Sequence, residues 1–150
     1  MFHQNVPSLL TKISYLRNAL FNVNYNVIYL NETWLNSNIF DAEQGFNNHN
    51  LYRKDRILGL RKTRGGGALI AINKNINCKL LTVASEVGIE QIFLKLTVNN
   101  IKIIIGCVYR PPNASFDIYS NHCDIIDSIP FKFPEHYFVI VGHFNLSNFD

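Results

Sequence analysis

The sequence lacks the features that mark membrane and secreted proteins. No apolar run approaches the roughly 18 residues that a membrane-spanning helix needs. His3, Gln4 and Asn5 interrupt the start of the chain, so it has no apolar core of a signal peptide. The 3 cysteines are odd in number and lack the spacing of metal ligands. We therefore expect an intracellular protein, nuclear or cytoplasmic, with idle thiols, no membrane partner and no obligate protein partner.

The chain has the length and composition of one globular domain. It contains 150 residues, of which 47% are hydrophobic, and no repeat or Pro/Gly-rich linker divides it. We expect a single domain over residues 1–150. The net charge of +3 does not by itself require an anionic partner. Six basic residues nevertheless crowd one stretch, which we expect to project from the body as a mobile loop. They are Arg53, Lys54, Arg56, Arg61, Lys62 and Arg64.

Hydrophobic periodicity predicts a mixture of helices and strands. Apolar residues recur at helical spacing from Leu9 to Phe21, after Ser8 as N-cap, and again from Phe116 to a stop at Pro130. Asn99–Asn100 between two apolar runs predicts a tight hairpin, because Asn tolerates positive φ. The predicted strands cover 27–30, 51–53, 68–72, 78–83, 91–98, 101–109 and 138–141. This order is an α+β or layered α/β pattern rather than a repeating βαβ one.

The polar residues that follow the predicted strands are the candidates for chemistry. His143 and Asn145 come directly after a strongly apolar strand, and open α/β sheets build their sites at such ends. Glu32 and Tyr109 lie at the ends of two other strands, and Asn5 precedes the first helix. A carboxylate with amide and phenol groups could hold Mg²⁺ and a phosphate. Taken singly, each also has a structural interpretation, such as a solvated loop or a satisfied core hydroxyl.

The order of these blocks resembles a known family. Val141–Gly142–His143–Phe144–Asn145 resembles the Gly-Asp-Phe-Asn motif of the endonuclease/exonuclease/phosphatase superfamily, with His in place of Asp. Further blocks resemble the endonuclease domain of non-LTR, LINE-like retrotransposons of the insect jockey type. They are Gln4–Asn5–Val6, Leu30–Asn31–Glu32–Thr33–Trp34–Leu35, Arg53–Lys54–Asp55–Arg56, Gly65–Gly66–Gly67–Ala68 and Val108–Tyr109–Arg110–Pro111–Pro112.

The resemblance implies a fold, an activity and a role for each site residue. The implied fold is the DNase I-like four-layered α/β/β/α sandwich, and the implied activity is Mg²⁺-dependent nicking of target DNA by a reverse transcriptase polyprotein. Glu32 would bind the metal with help from Asn5, Tyr109 would bind the scissile phosphate, and Asn145 would orient the phosphate or the attacking water. The family Asp at position 143 would handle the proton. The DNA contacts would come from the six basic residues together with Arg110 and Asn113.

Two departures from the family shape what we expect of the activity. His143 replaces the family Asp, and the C-terminal blocks with a terminal Asp-His pair are missing, so the sandwich should be incomplete at its C-terminal part. Loss of one member of a catalytic unit can lower the rate by ~10³–10⁶-fold. We therefore expect a degenerate endonuclease fragment that is inactive alone. The alternatives are a non-catalytic nucleic-acid-binding remnant and, less favoured by the Tyr-Arg-Pro-Pro block, a phosphatase acting on a phospholipid or inositol phosphate.

Overall fold

Two mixed four-stranded sheets form the centre of the molecule in the computed structural model, which describes residues 1–20, 23–57, 64–83, 89–112 and 114–145. The first sheet has the order β1-β2-β4-β3, and the second has the order β5-β6-β7-β8. The strands are β1 (Phe2–Asn5), β2 (Val27–Asn31), β3 (His49–Lys54), β4 (Ala68–Asn73), β5 (Cys78–Leu80), β6 (Glu90–Val98), β7 (Ile101–Tyr109) and β8 (Tyr137–His143).

Each sheet combines antiparallel pairs with one parallel pair. In the first sheet β1 and β2 are parallel, while β4 pairs antiparallel with both β2 and β3. In the second sheet β6 pairs antiparallel with β5 and β7, and β8 runs parallel to β7. Each parallel strand therefore ends beside the end of its partner, which brings Asn5 next to Asn31 and His143 next to Tyr109. The candidate site lies at these shared strand ends.

Two helices cover the outer faces of the sheets, so the molecule has four layers. Helix α1 (Leu9–Leu20) packs through Leu9 and Leu16 on the first sheet, and α2 (Phe116–Lys132) packs through Ile129 on the second. The two sheets pack face to face. Alternate residues of β2 show the division, since Val27 and Tyr29 face the second sheet whereas Ile28 and Leu30 face α1. The α/β/β/α sandwich that the sequence predicts is confirmed.

The Asn99–Asn100 hairpin also forms as predicted. The two residues have φ values of 50° and 65°, and they join β6 to β7 in register with Val98 opposite Ile101. Both central residues are thus in the left-handed region, as in a type I′ turn, which matches the twist of the strands on either side.

Four details differ from the sequence predictions. Strand β1 was not predicted, because its four residues include three polar side chains in succession and show no alternation. A 3₁₀ helix at Asp41–Gln44 was not predicted either. The strand predicted over 78–83 is shorter, since β5 ends at Leu80. Finally, Pro130 does not end α2: the helix continues to Lys132, and the Phe133 amide still donates to the Ile129 carbonyl at 2.9 Å.

Strand β8 lies at an edge of the second sheet although its sequence is apolar. It pairs with β7, and within the described residues no strand pairs with its other side. Its residues from Phe138 to His143 are each only partly buried. The part of the chain that the structure describes also contains no helix long and apolar enough to cross a membrane.

Candidate functional site

The ends of β1, β2, β7 and β8 meet at one edge of the sandwich. Asn5 and His143 are the last residues of β1 and β8, and they are joined by a side-chain hydrogen bond across the two sheets. Tyr109 ends β7 and Glu32 follows β2 directly. The fold therefore gathers the side chains that the sequence places after separate strands.

His143 is the centre of this group. Its Nδ1 lies 3.1 Å from Asn5 Nδ2, and its Nε2 lies 2.7 Å from Asn145 Oδ1. Its ring stacks on the Tyr109 ring, with centroids 5.9 Å apart and planes 18° apart. Four of the predicted site residues are thus in direct contact. Both ring nitrogens of His143 are engaged with amides.

Tyr109 and Glu32 form the second half of the site. Burial raises the pKa of Tyr109 above its ordinary value, the negative charge of Glu32 raises it further, and Arg56 opposes the shift. A raised pKa keeps the phenol protonated and able to donate a hydrogen bond. Glu32 is half-buried and has a φ of 55°, a conformation that non-glycine residues seldom adopt and that is often found at functional sites.

A buried ion pair that sequence reasoning missed supports Tyr109. Arg56 donates to both carboxylate oxygens of Glu90, at 2.8 and 3.1 Å, and its guanidinium lies 5.1 Å from the centroid of the Tyr109 ring. The two charged side chains are only 14% and 6% exposed. Glu90 faces Tyr109 across the β6–β7 pair, so this ion pair fixes one side of the phenol. No local sequence pattern connects residues 34 positions apart.

Asn31 is a second residue that sequence reasoning left without a role. It is completely buried, and its Nδ2 donates to the Val108 carbonyl in the other sheet at 3.0 Å. Its Oδ1 is 2.8 Å from His3 Nε2. Asn31 thus ties the two sheets together directly beneath Glu32 and Tyr109. Its only sequence signal was its place inside the Leu-Asn-Glu-Thr block.

The glycine run allows the loop beside Glu32 to pack tightly. Gly66 and Gly67 have φ values of 68° and 96°. A Cβ atom on Gly66 would meet the Arg56 guanidinium at 2.5 Å, and one on Gly67 would meet Thr33 Oγ1 at 2.5 Å. The sequence-based interpretation of these glycines as strand-entry residues at a close approach is confirmed.

The prediction that the basic stretch projects from the body is wrong for Arg53 and Arg56. Arg53 lies on β3, where a strand over 51–53 is predicted, but it forms ion pairs with Asp41 and Asp55 and its side chain is only 15% exposed. Arg56 is engaged with Glu90, as described above. Both guanidinium groups fold back onto the protein because carboxylates are available nearby.

The other predicted DNA contacts divide into three groups. Lys54 is half-buried and has its own intramolecular interaction, whereas Arg64 is exposed with its guanidinium 5.3 Å from the Trp34 ring. Arg110 donates to backbone carbonyls of residues 144 and 145. Arg61, Lys62 and Asn113 lie outside the described residues.

Comparisons with solved structures identify the fold that carries this site. The sequence matches no protein-family model and no curated protein. The catalytic domain of human Nocturnin with bound sulfate matches with a TM-score of 0.71 and 9% identity, over 98% of this chain and 64% of that one. The endonuclease domain of TRAS1, a telomere-specific non-LTR retrotransposon, matches with 0.66 and 11%, over 97% and 60%. TDP2 from D. rerio with a single-strand DNA product matches with 0.64 and 14%, over 98% and 60%.

The chain has the DNase I-like fold. At identities of 9–14%, the likeness concerns the fold, and the chain spans 60–64% of the length of these three structures. The sequence prediction of a DNase I-like sandwich agrees with it.

DNase I-like nucleases generally use divalent metal ions, and two residues here fit such an ion. Mg²⁺ binds through one or two carboxylates and keeps several waters. Glu32 supplies one carboxylate, and the buried Oδ1 of Asn5 has no hydrogen-bond partner. Among the described residues no cluster of three or more His, Cys, Asp or Glu side chains could hold a metal. The donors identified for a metal ion are therefore one carboxylate, from Glu32, and one amide oxygen, from Asn5.

Proposed function

We propose that this chain carries the phosphodiester-hydrolysing site of a Mg²⁺-dependent DNA endonuclease domain of a non-LTR retrotransposon. The site is inactive as it stands, both because of His143 and because the chain spans only 60–64% of the length of the three DNase I-like structures named above. The observation that supports this most directly is the contact of His143 with Asn5, Asn145 and Tyr109 at the shared strand ends. The motif order of the sequence and the TRAS1 endonuclease fold support the same proposal.

Each residue has a distinct part in the proposed chemistry. Glu32 and Asn5 Oδ1 would hold Mg²⁺, which would supply charge stabilisation at the phosphate. Tyr109, kept protonated by its surroundings, would donate to a phosphate oxygen. Asn145 would orient the phosphate or the attacking water.

His143 stands where a free proton acceptor is needed. Both of its ring nitrogens are already hydrogen-bonded to amides, so it has no free acceptor for a proton from water.

The test is plasmid nicking in the presence of Mg²⁺. The 150-residue chain should show no nicking above background, and His143→Asp alone should not restore it, because the members of a catalytic unit act together. A fusion of the His143→Asp chain to the C-terminal part of a related retrotransposon endonuclease should nick DNA. Glu32→Ala should abolish that nicking, whereas the exposed control Glu135→Ala should not. Robust nicking by the unmodified chain that needs Glu32 would contradict the proposed inactivity.

A nucleic-acid-binding remnant is the second candidate, favoured by the cluster of positive charge around Arg64. In that case the chain binds DNA without nicking it, even as the repaired fusion. Neutralising Arg61, Lys62 and Arg64 together should then lower affinity and reduce the salt slope by roughly 0.9 for each phosphate that the protein no longer neutralises. Neutralising the exposed Lys12, Lys74 and Lys79 is the matched control. An unchanged slope in the first variant would remove this segment from DNA binding.

A further inference from the structure

Arg110 holds the segment that carries His143 and Asn145 with both its backbone and its side chain. Its amide donates to the His143 carbonyl at 3.0 Å, which extends the pairing of β7 and β8 beyond Tyr109. Its Nη1 donates to the carbonyls of Phe144 and Asn145 at 3.2 and 3.0 Å. The guanidinium also lies 5.3 Å from the centroid of the Tyr119 ring on α2. The amide and Nη1 of Arg110 are therefore engaged with this segment, whereas its buried Nε has no hydrogen-bond partner.

A hydrogen bond from the Asn145 side chain back to Arg110 orients that side chain. Its Nδ2 donates to the Arg110 carbonyl at 2.6 Å. A carbonyl only accepts, so the amide of Asn145 has to point its NH₂ group at Arg110. Its Oδ1 then faces His143 Nε2 at 2.7 Å. Asn145 has a φ of 43°, in the left-handed region that Asn adopts more readily than most residues.

The orientation of Asn145 decides where the proton of His143 lies. An amide oxygen cannot donate, so His143 Nε2 has to carry a hydrogen. In the neutral ring the lone pair is then on Nδ1, 3.1 Å from the Asn5 Nδ2 donor. This leaves the Asn5 Oδ1 as the buried oxygen without a partner, turned away from the imidazole bond.

We propose that Arg110 is a positioning residue of the candidate site rather than a DNA contact. Its carbonyl and its guanidinium fix Asn145, and through Asn145 they hold His143 in the Nε2–H tautomer with its lone pair on Asn5. The importance of this for catalysis rests on the proposed function, but the tautomer itself does not. It predicts which nitrogen of His143 carries the hydrogen before any DNA is present.

The experiment is two-bond ¹H–¹⁵N correlation spectroscopy of the 150-residue chain labelled with ¹⁵N-histidine, at about pH 8, where an ordinary imidazole is neutral. His143 should give the Nε2–H pattern. Arg110→Met keeps much of the aliphatic stem but removes the Nη1 donor that binds both carbonyls, so the Nε2–H preference should be lost toward averaged shifts. Arg17→Met on α1 is the matched control and should leave His143 unchanged.

A second variant tests the inference if Arg110→Met does not fold. Asn145→Ala retains Arg110 but removes the amide, and it should cause the same loss of tautomer preference. An Nδ1–H pattern in the unmodified chain would overturn the inference. So would an unchanged Nε2–H pattern in a folded Arg110→Met variant, and a lower salt slope for DNA binding in that variant, which has lost the positive charge, would then assign Arg110 to phosphate contact. Since the spectra are recorded without DNA, a repaired fusion that fails to nick would count against the proposed function alone.

Discussion

At the residue scale, the most consequential pair beyond the predicted site residues is the ion pair of Arg56 with Glu90. The pair is almost completely buried, so removing one partner leaves a charge without compensation. We expect Glu90→Gln to lower the free energy of unfolding by about 3 kcal/mol. Urea denaturation followed by circular dichroism measures this change.

The same substitution at an exposed ion pair provides the control. Glu135 pairs with Lys102, and the two side chains are 72% and 49% exposed. Because solvent screens such a pair, Glu135→Gln should leave the urea midpoint unchanged. Equal losses at both positions would show that the Arg56–Glu90 pair has no special role in holding Tyr109.

His122 on α2 makes stability depend on pH. Its side chain is buried with Nδ1 bonded to Gln91, and burial together with the charge of Arg110 lowers its pKa. The unfolded chain takes up a proton below about pH 6.5 while the folded state resists it. Stability is therefore present above this pH and falls as the pH drops below it, with a slope of up to about 1.4 kcal/mol per pH unit.

His122→Asn should reduce this loss in acid, because Asn keeps a donor near the Nδ1 position but does not titrate. Some loss should remain, because burial and the charges of Lys95 and Lys102 also lower the pKa of His136. Comparison of urea midpoints at about pH 7.5 and 5.5 measures the effect. If His122→Asn loses stability in acid as steeply as the unmodified chain, another group carries the dependence.

The site residues that were predictable from sequence share one property. Glu32, Tyr109 and His143 each follow or end an apolar strand, so a local pattern marks them. Arg56 and Glu90 were not predictable, because their pairing depends on how the two sheets stack. The inward orientation of Arg53 escaped prediction for a similar reason, since its partner Asp41 lies on a 3₁₀ helix that has no clear pattern.

At the scale of elements, the β6–β7 turn offers a direct test of turn chemistry. Asn100 has a φ of 65°, which glycine adopts without strain. Asn100→Gly should raise stability by about 0.5 kcal/mol. Asn100→Ala should lower it by about 1–2 kcal/mol, because Ala keeps the Cβ but lacks the polar side chain with which Asn forms local hydrogen bonds in the left-handed region. Thermal and urea unfolding of the two variants should move in opposite directions. A stabilising Ala would mean that the turn is not type I′ in solution.

Most helices and strands were predictable because their apolar residues recur with a clear period. The features that were predicted wrongly have a weak sequence pattern or depend on an exceptional residue. Strands β6 and β7 have nine residues each, and their apolar pattern extends over enough residues to identify a strand. Strand β1 has four residues and exists because β2 is beside it. Pro130 appeared to end α2, yet it lies in the last turn of the helix, which closes through the Phe133 amide.

At the scale of the whole molecule, the apolar edge strand β8 predicts self-association. Unpaired edges with partly exposed apolar side chains invite pairing with another chain. Tyr137 begins β8 and is 71% exposed, and a lysine there would add the charge with which natural edge strands prevent such pairing. We expect the unmodified chain to associate in sedimentation velocity experiments, and Tyr137→Lys to be more monomeric.

The matched control is an equally exposed tyrosine away from any sheet edge. Tyr15 on α1 is 74% exposed, so Tyr15→Lys adds the same charge without touching β8. It should associate as the unmodified chain does. A monomeric unmodified chain with a sharp unfolding transition would show that the edge of β8 is harmless.

The hydrogen bond between Asn5 and His143 has a consequence for the time at which the site can form. It joins residues 138 positions apart, so the polypeptide has to be synthesised through residue 143 before the imidazole meets its partner. Such distant contacts form late, because the intervening chain has to be ordered first. During translation the first sheet and α1 can assemble while β8 is still inside the ribosome. A growing polypeptide would therefore hold Asn5 and Glu32 in place before His143 and Asn145 join them, and the candidate site is assembled only when residues 143–145 have left the exit tunnel.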